Sequence, residues 1–275
     1  MDIFQAIIIG LIQGLTEFLP VSSSAHLIFA QHALGVSSDL AFDVMLHVGT
    51  LVAVVVFFFK DIVLMIYAFL LSIKDLFTGK FIQGLREESY KRLAWYVILG
   101  TIPIGLVGVL FNDAVESIFT GVNIPAFFLL ITGVLLYISQ RINTGKIKQE
   151  DLTLKQSILI GCGQAIAILP GLSRSGTTIA TGLTLGLDKE FAAKFSFLLS
   201  IPAILGAAVV ELKDLALTDV NLGAYVAGFI VAAVSGYLAI KFLLELIQKR
   251  SLDIFSYYCW IVGIIILLGC LIFGW

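Results

Sequence analysis

The sequence predicts an all-α protein that crosses a membrane several times and consists of two inverted repeats, each a broken re-entrant hairpin followed by three transmembrane helices. First, the 275 residues are 59% hydrophobic and only 13% charged, with a mean hydropathy of +1.05. Soluble domains carry roughly 25% charged residues. Second, long apolar segments recur along the chain. Third, two other apolar regions are each interrupted by a proline and small polar residues. Lipid must therefore surround much of the protein.

The charge balance and the cysteines exclude other classes of protein. A net charge of −2 provides no basic field, so we expect no nucleic-acid partner. Cys162, Cys259 and Cys270 lie in apolar segments without metal-like spacing, and we interpret them as packing residues. The N-terminal segment has neither a basic region nor a small-residue cleavage site, so we do not expect it to be a signal peptide.

Six segments are long and apolar enough to cross a bilayer, which takes about 20 residues of helix. These segments are 41–59, 93–111, 124–140, 191–212, 222–247 and 255–275. A further apolar stretch, 62–73, is too short to cross alone. We expect it either to extend the first span or to lie at the membrane interface.

Two further apolar regions, 2–35 and 156–187, contain LPVSSSAH around Pro20 and LPGLSRSGTT around Pro170. Because proline cannot donate a backbone hydrogen bond, a helix is expected to end just before each proline. The serines that follow are good N-caps for a new helix. Each region therefore predicts two short helices that enter the membrane and return on the same side. Such a break is tolerated at depth only where protein or a water-filled cavity surrounds it.

The two breaks resemble each other and divide the chain. The pattern LPxxS begins at Leu19 and again at Leu169, 150 residues later, and three predicted spans follow each break. We therefore predict a single membrane domain over 1–275 that consists of two repeats, 1–150 and 151–275.

The distribution of lysine and arginine predicts the orientation of these repeats. Basic-rich loops 74–92, 141–155 and 248–254 alternate with the basic-poor loops 112–123 and 213–221. By the positive-inside rule the basic loops are cytoplasmic, so both termini lie outside. Three spans per repeat is an odd number, and the repeats must therefore be inverted. Broken helices of inverted repeats meet near the middle of the membrane, which brings the two breaks together.

The breaks also contain the candidate chemical groups. An ionisable side chain in a membrane costs at least ~2.5 kcal/mol, so each is a functional candidate. The first hairpin contains Glu17 and His26, and the second contains Arg174. If a helix restarts at Ser22, its first turn presents hydroxyls and an imidazole. Two helix N-termini that face one cavity form an anion site, to which a guanidinium adds bidentate phosphate binding. The combination indicates chemistry on a phosphate ester.

Each of these residues also has a structural alternative. Glu17 and Arg174 could form a buried ion pair between the repeats, which would not exclude catalysis. His26 could be a packing residue, and the serines could simply cap helices. His32, close to the outer interface, and His47, alone on an apolar span, are interpreted as structural.

At these positions the sequence resembles the undecaprenyl-diphosphate phosphatase family, also called the bacitracin-resistance protein family. The resemblance rests on QGLTE at 13–17, PVSSSAH at 20–26 and PGLSRSGTT at 170–178. Length and span pattern also match over essentially the whole chain. The resemblance implies hydrolysis of undecaprenyl diphosphate to the monophosphate at the outer side of the cytoplasmic membrane. This reaction recycles the lipid carrier for cell-wall polymers and confers resistance to bacitracin.

By family likeness, Glu17, Ser23, His26 and Arg174 are the active-site residues, assisted by a divalent cation, Mg²⁺ or Ca²⁺. The family's first motif often has a second glutamate where this chain has Gln13. Glutamine cannot act as a base and is a weaker metal ligand. We therefore assign the carboxylate and metal-binding roles to Glu17 alone, with Gln13 in a supporting role.

The expected reaction is hydrolysis of the terminal phosphoanhydride, with the phosphates held by residues of both breaks. The expected phosphate-binding residues are Ser22, Ser24, Ser173, Arg174, Ser175, Gly176 and Thr178. His26 is expected to act as a base for either Ser23 or a water. A phosphoserine intermediate and direct attack by water both stay open.

The alternative function is an inverted-repeat transporter or lipid flippase without hydrolysis, since this architecture serves both. Ser, His and Glu in one break facing Arg in the other favour hydrolysis, whereas a structural membrane subunit would leave these groups unexplained. We expect a polyprenyl diphosphate substrate, membrane lipid around a multi-pass protein, and an active site open to the outer face. A homodimer is left open.

Overall fold

The computed structural model describes residues 1–37, 39–116, 121–211 and 221–274, with only the backbone over 111–116. These ranges form twelve α-helices, as the predicted all-α class requires. The helices are α1 (Ile3–Phe18), α2 (Ser23–Leu34), α3 (Leu40–Phe57), α4 (Phe59–Thr78), α5 (Phe81–Glu87), α6 (Ser89–Glu116), α7 (Asn123–Ile142), α8 (Leu154–Ile166), α9 (Arg174–Thr184), α10 (Lys189–Glu211), α11 (Leu222–Lys249) and α12 (Asp253–Phe273).

Six helices of the described ranges are long and apolar enough to cross a membrane. They are α3, α6, α7, α10, α11 and α12, which correspond to the six predicted spans. Their outer surfaces expose large hydrophobic side chains, such as Val109 on α6 and Leu271 on α12. Because contiguous apolar surface of this extent requires lipid contact, the chain is a multi-pass membrane protein.

The apolar stretch 62–73 lies within α4, which is a helix separate from α3. Near its start, Asp61 accepts a hydrogen bond from Tyr90 at 2.8 Å. Near its end, Asp75 forms an ion pair with Lys91 at 2.6 Å. Since Tyr90 and Lys91 are neighbours in the first turn of α6, both ends of α4 lie near the same end of that span. This geometry favours the interfacial alternative over an extension of the first span.

Two pairs of short helices form the predicted broken hairpins. The first pair is α1 and α2, of 16 and 12 residues. The second pair is α8 and α9, of 13 and 11 residues, and all four are too short to cross a bilayer. The hydroxyl of Ser22 caps α2, and the hydroxyl of Ser173 caps α9. The predicted breaks at the two prolines are therefore present, and serines restart the helices.

Each hairpin packs against a span from the other half of the chain. Helix α1 packs on α11, and α8 packs on α6. Glycines allow the closest approach: a Cβ on Gly10 would lie 2.5 Å from the carbonyl oxygen of Gly228. A Cβ on Gly161 would lie 2.0 Å from the carbonyl oxygen of Gly100. Neither half of the chain therefore buries its own hairpin without the other.

An aromatic cluster supports the end of α1, next to the first break. Phe18 is 1% exposed, and its ring meets that of Phe197 on α10 edge to face, with centroids 5.4 Å apart. The ring of Phe58 lies beside that of Phe197, with centroids 6.1 Å apart. Because Phe18 directly follows Glu17, this packing fixes the position at which the carboxylate leaves α1.

Candidate functional site

The polar side chains of the two breaks converge on Glu17, which is 5% exposed. Its Oε2 accepts hydrogen bonds from Ser23 Oγ at 2.5 Å and from Gln13 Nε2 at 3.0 Å. Its Oε1 accepts a hydrogen bond from Arg174 Nη2 and forms an ion pair with that guanidinium. The buried carboxylate is thus held by one cation and two neutral donors, which offset the cost of removing its charge from water.

The helices on either side of the two breaks place these groups. Gln13 and Glu17 are four residues apart on α1 and therefore share one face. Ser23 is the first residue of α2, and Arg174 is the first residue of α9. Arg174 lies 157 residues after Glu17, so only the meeting of the hairpins brings them together.

Two further hydrogen bonds join the breaks to each other. The N–H of Gly171 donates to Ser24 Oγ at 3.3 Å, and the hydroxyl of Ser175 donates to the carbonyl of Leu19 at 3.1 Å. Gly171 has φ = +95°, and a Cβ there would lie 2.2 Å from the carbonyl oxygen of Pro125. A glycine is therefore required at this point of the second break.

The predicted phosphate-binding residues occupy the first turns of α2 and α9, with one exception. The hydroxyls of Ser22 and Ser24 lie 3.2 Å apart, and those of Ser173 and Ser175 are equally close. The N–H of Gly176 donates to the Ser173 cap at 3.0 Å.

The exception is Thr178, whose hydroxyl lies 2.6 Å from that of Ser196 on α10. Thr178 is 1% exposed and also donates to the carbonyl of Arg174 at 2.8 Å. Its hydroxyl therefore holds α9 against α10.

Ser22 has a strained backbone. Its φ of 70° and ψ of 96° make it the one non-glycine residue with positive φ in the described ranges. Such a conformation costs of the order of 1–3 kcal/mol and persists only where the surroundings impose it. The strained turn directs the Ser22 carbonyl at His26 Nδ1, 2.8 Å away.

His26 and Ser23 have different partners. A carbonyl oxygen only accepts hydrogen bonds, so His26 Nδ1 donates to Ser22 and must carry a proton. In the neutral ring, Nε2 then accepts the hydrogen bond from Tyr258 Oη at 2.8 Å. Ser23 instead donates to Glu17. The expected pairing of His26 with Ser23 is therefore not the arrangement in the structure, where the basic group in contact with Ser23 is Glu17.

The structure adds two residues that the sequence did not single out as functional. His47 Nε2 lies 3.8 Å from Glu17 Oε2. The available signal was an ionisable side chain on an apolar span, the same signal that identified Glu17. Tyr258 gave no signal, since it is one of several aromatic residues near the start of α12.

His32 lies two turns beyond the break and lines an apolar cavity of about 300 Å³.

Oxygen donors for a cation are few at this site. The described residues include no cluster of three or more His, Cys, Asp or Glu side chains that could hold a metal ion. Besides the Glu17 carboxylate, Gln13 Oε1 is buried and has no hydrogen-bond partner. These two donors fit Mg²⁺ or Ca²⁺ only if substrate oxygens and water complete the coordination, as Mg²⁺ commonly allows.

The sequence matches known proteins across this whole site. The model of the family described as bacitracin resistance protein BacA matches residues 6–265. The chain belongs to this family. The undecaprenyl-diphosphatase of Methanobrevibacter smithii is 68% identical over 271 residues, covering 98% of each chain. That of Methanosphaera stadtmanae is 50% identical over 267 residues, covering 96% of this chain and 97% of the relative.

A third relative, the undecaprenyl-diphosphatase of Alkaliphilus metalliredigens, is 45% identical over 278 residues, covering 99% of this chain and 100% of its own. The region matched to the BacA family contains both broken hairpins and every site residue from Gln13 to Tyr258. The family membership that three short motifs predicted is therefore confirmed over nearly the full length of the chain.

Proposed function

We propose that this BacA family member hydrolyses undecaprenyl diphosphate to undecaprenyl phosphate and phosphate, and so recycles the lipid carrier for cell-wall synthesis. One observation carries the proposal: a serine hydroxyl, a carboxylate and a guanidinium, Ser23, Glu17 and Arg174, meet where two helix breaks join. Relatives at 45–68% identity over nearly the whole chain are named undecaprenyl-diphosphatase.

The phosphates bind, in this proposal, between the N-termini of α2 and α9. The first N–H groups of a helix have no partner within the helix, and the helix dipole favours an anion there. Arg174 uses Nη2 to bind Glu17, which leaves further guanidinium N–H groups for phosphate oxygens. These donors offset the negative charge that develops as the phosphoanhydride breaks.

Glu17 is placed to accept the proton of Ser23, because the Ser23 hydroxyl already donates to it. In the covalent route, Ser23 Oγ bonds to the terminal phosphorus, its proton passes to Glu17, and undecaprenyl phosphate leaves. A water then bonds to that phosphorus and gives a proton to His26, while the Ser23–phosphorus bond breaks, Glu17 returns its proton to Ser23 Oγ, and phosphate is released. In the direct route, a water takes the place of Ser23 in the first step.

A divalent cation, when bound, supplies positive charge that neutralises the diphosphate. We propose Mg²⁺ or Ca²⁺, held by the Glu17 carboxylate and the unpartnered Gln13 Oε1 together with substrate oxygens. Because Arg174 and Ser23 already contact the carboxylate, few of its lone pairs remain for the ion.

We propose that the two halves, 1–150 and 151–275, are inverted repeats within one membrane domain. Their contacts follow matching pairs: α1 packs on α11 as α8 packs on α6. Helix α3 packs against α10, and α7 against α12, so corresponding helices also meet each other. This pattern is what a two-fold axis between the halves produces.

We propose that the protein lies in the cytoplasmic membrane with its site open to the outer face. Two contacts join segments that are predicted to lie on the same side of the membrane. Asn221 Nδ2 donates to the carbonyl of Met1 at 3.4 Å, which joins two predicted outer segments. Arg141 pairs with Asp253 at 2.9 Å, which joins two basic cytoplasmic loops. Residues 117–120 and 212–220 of the basic-poor loops lie outside the described part of the chain.

A transporter or lipid flippase is the other function that inverted repeats serve. Moving an intact lipid requires a site for the diphosphate but no hydroxyl held against a carboxylate. The Ser23–Glu17 contact therefore favours hydrolysis.

The test is phosphate release by the purified protein from undecaprenyl diphosphate in detergent, with and without EDTA. We expect one phosphate per lipid, loss of turnover with EDTA, and recovery with added Mg²⁺. A Glu17→Gln preparation, purified identically, controls for contaminating phosphatases. Movement of intact lipid across proteoliposomes without phosphate release would instead support the flippase.

A further inference from the structure

We propose that Tyr258 is a positioning residue for the reaction, which acts by holding the imidazole of His26 in its working orientation. The inference rests on the proposed phosphatase function. Tyr258 lies 232 residues after His26, on the last helix, and its hydroxyl is 2.8 Å from His26 Nε2. No motif in the sequence connects the two residues.

The hydrogen bonds of His26 determine which of its nitrogens is basic. The Ser22 carbonyl takes the proton on Nδ1, and this leaves the lone pair on Nε2. Tyr258 is the group that meets this lone pair. Because a tyrosine hydroxyl both donates and accepts, its O–H turns away from Nε2 as the water gives its proton to that nitrogen, and its oxygen then accepts from the new Nε2–H.

Two contacts are needed to hold the ring. The hydrogen bond from Nδ1 to Ser22 still leaves the imidazole some rotation about its Cβ–Cγ bond. The Tyr258 ring stacks on the imidazole, with centroids 5.6 Å apart and planes inclined by 14°. Stacking and the hydroxyl together restrict that rotation, so Nε2 keeps one direction.

The neighbouring residue shows that α12 contacts the break itself. The Cys259 thiol lies 3.7 Å from the carbonyl oxygen of Pro20, and Cys259 is fully buried. Two consecutive residues of α12 thus meet the first break, one at Pro20 and one at His26. Tyr258 itself is 41% exposed, so its hydroxyl contact is not a by-product of burial in the core.

The first test compares Tyr258→Phe with Tyr257→Phe. Phenylalanine keeps the stacked ring and removes only the hydroxyl. Tyr257 is half exposed and packs on Trp260, so its variant controls for losing a tyrosine hydroxyl on α12. For Tyr258→Phe we expect kcat to fall roughly tenfold, a fraction of what general acid–base catalysis contributes. KM and the thermal midpoint should stay near wild type, and Tyr257→Phe should leave all three unchanged.

A double-mutant cycle then asks whether Tyr258 acts through His26. In a His26→Ala background, Tyr258→Phe should cause no further loss of kcat. The same tenfold loss in both backgrounds would overturn the proposal, as would a lowered thermal midpoint that accounts for the loss.

A spectroscopic readout is independent of turnover. The chain has three histidines, so a sample labelled with ¹⁵N-histidine gives few imidazole signals, and a His26→Ala variant assigns those of His26. We expect Nδ1 protonated, Nε2 unprotonated, and an Nε2 resonance that moves in Tyr258→Phe but not in Tyr257→Phe. An Nε2 resonance that stays in place in both variants rejects the contact. Wild-type phosphate release is measured in parallel, and its absence would refute the proposed function without deciding the contact.

Discussion

At the scale of single residues, the ion pair between Glu17 and Arg174 agrees with two interpretations. A buried carboxylate needs compensating donors wherever it occurs, and among the described residues Arg174 is the one cationic side chain that donates a hydrogen bond to Glu17. The pair could therefore exist for stability alone. Ser23, however, also donates to Glu17, and a hydroxyl held against a carboxylate is the arrangement that activates a nucleophile. Substitutions at Arg174 separate the two interpretations.

Arg174→Lys should keep the charge and the fold but lower kcat roughly 10²-fold, the usual cost of losing one donor to the transition state. An ammonium acts as a point charge and cannot hold two phosphate oxygens in the way a guanidinium does. The measurements are kcat and thermal stability in detergent for Arg174→Lys and Arg174→Ala. Normal activity in the lysine variant, together with an unstable alanine variant, would leave Arg174 as a structural partner of Glu17.

Ser23→Ala should lower phosphate release by at least about 10²-fold, because its hydroxyl is the one in contact with the carboxylate. Ser24→Ala is the matched control, because it also replaces a serine by alanine, one residue later. The Ser24 hydroxyl accepts from the Gly171 N–H and does not contact Glu17 in the way that Ser23 does. Trapping phosphate on Ser23 would support the covalent route. Robust turnover by Ser23→Ala would leave direct attack by water as the mechanism.

Glu17→Gln should nearly abolish turnover and weaken the response to added Mg²⁺. Glutamine keeps the shape of the side chain but can neither take a proton from Ser23 nor bind a cation strongly. Initial rates are measured over a Mg²⁺ titration, with Gln13→Ala as a comparison at the supporting position. A Glu17→Gln protein that keeps wild-type rates would limit Glu17 to a structural role.

The sequence identified the site only where a residue is unusual for its segment. Glu17 and Arg174 were found because charged groups interrupt apolar regions, and Ser23 because it follows a proline break. The partner of His26 was not predictable, since Tyr258 reaches it through the packing of α12 on the first break. His47 was visible as an ionisable residue, but its approach to Glu17 depends on how α3 packs.

At the scale of helices, local signals predicted the breaks and the spans, and tertiary contacts decided the rest. Pro20 and Pro170 predicted the two breaks because serines that can cap a new helix follow each of them. Proline alone does not break a helix here, since Pro103 and Pro202 lie inside α6 and α10. The placement of α4 does not follow from the sequence, because it depends on Asp61 and Asp75 meeting the start of α6. The short helix α5 (Phe81–Glu87) has no apolar signature and was not predicted.

Gly161→Ala should destabilise the crossing of α8 over α6. The added methyl would lie 2.0 Å from the carbonyl oxygen of Gly100, and forcing extra volume into a packed contact costs about 1–3 kcal/mol. Gly206→Ala on α10 is the control, since a Cβ there meets nothing within 4 Å. Thermal midpoints in detergent should fall for Gly161→Ala only. Equal midpoints would show that the crossing of α8 over α6 accommodates the extra methyl group.

At the scale of the whole molecule, the site exists only because the two halves are interleaved. Glu17 and Ser23 come from the first half, and Arg174 comes from the second. Since each hairpin packs on a span of the other half, displacing either half should disturb both the packing and the site. The direction in which the spans cross the membrane is therefore the decisive property of the architecture.

Cysteine labelling in intact cells tests that direction. Cys162, Cys259 and Cys270 are first replaced by alanine, and phosphate release is checked in this background. Single cysteines are then introduced at exposed positions on either side of the second and third predicted spans.

We expect Lys80→Cys and Lys148→Cys to react with an impermeant maleimide only after the cells are opened, since both lie in basic loops. Asn123→Cys, exposed at the start of α7, should react in intact cells. Asp113 belongs to the same predicted outer loop, but its side chain lies outside the described part of the chain, so Asn123 is the better reporter. Opposite sides for positions 80 and 123 require the second predicted span to cross the membrane, and an odd number of crossing spans in the first half is what inverts the second half. Labelling of positions 80 and 123 from the same side would contradict the inverted repeat and would leave the meeting of the two breaks without an explanation.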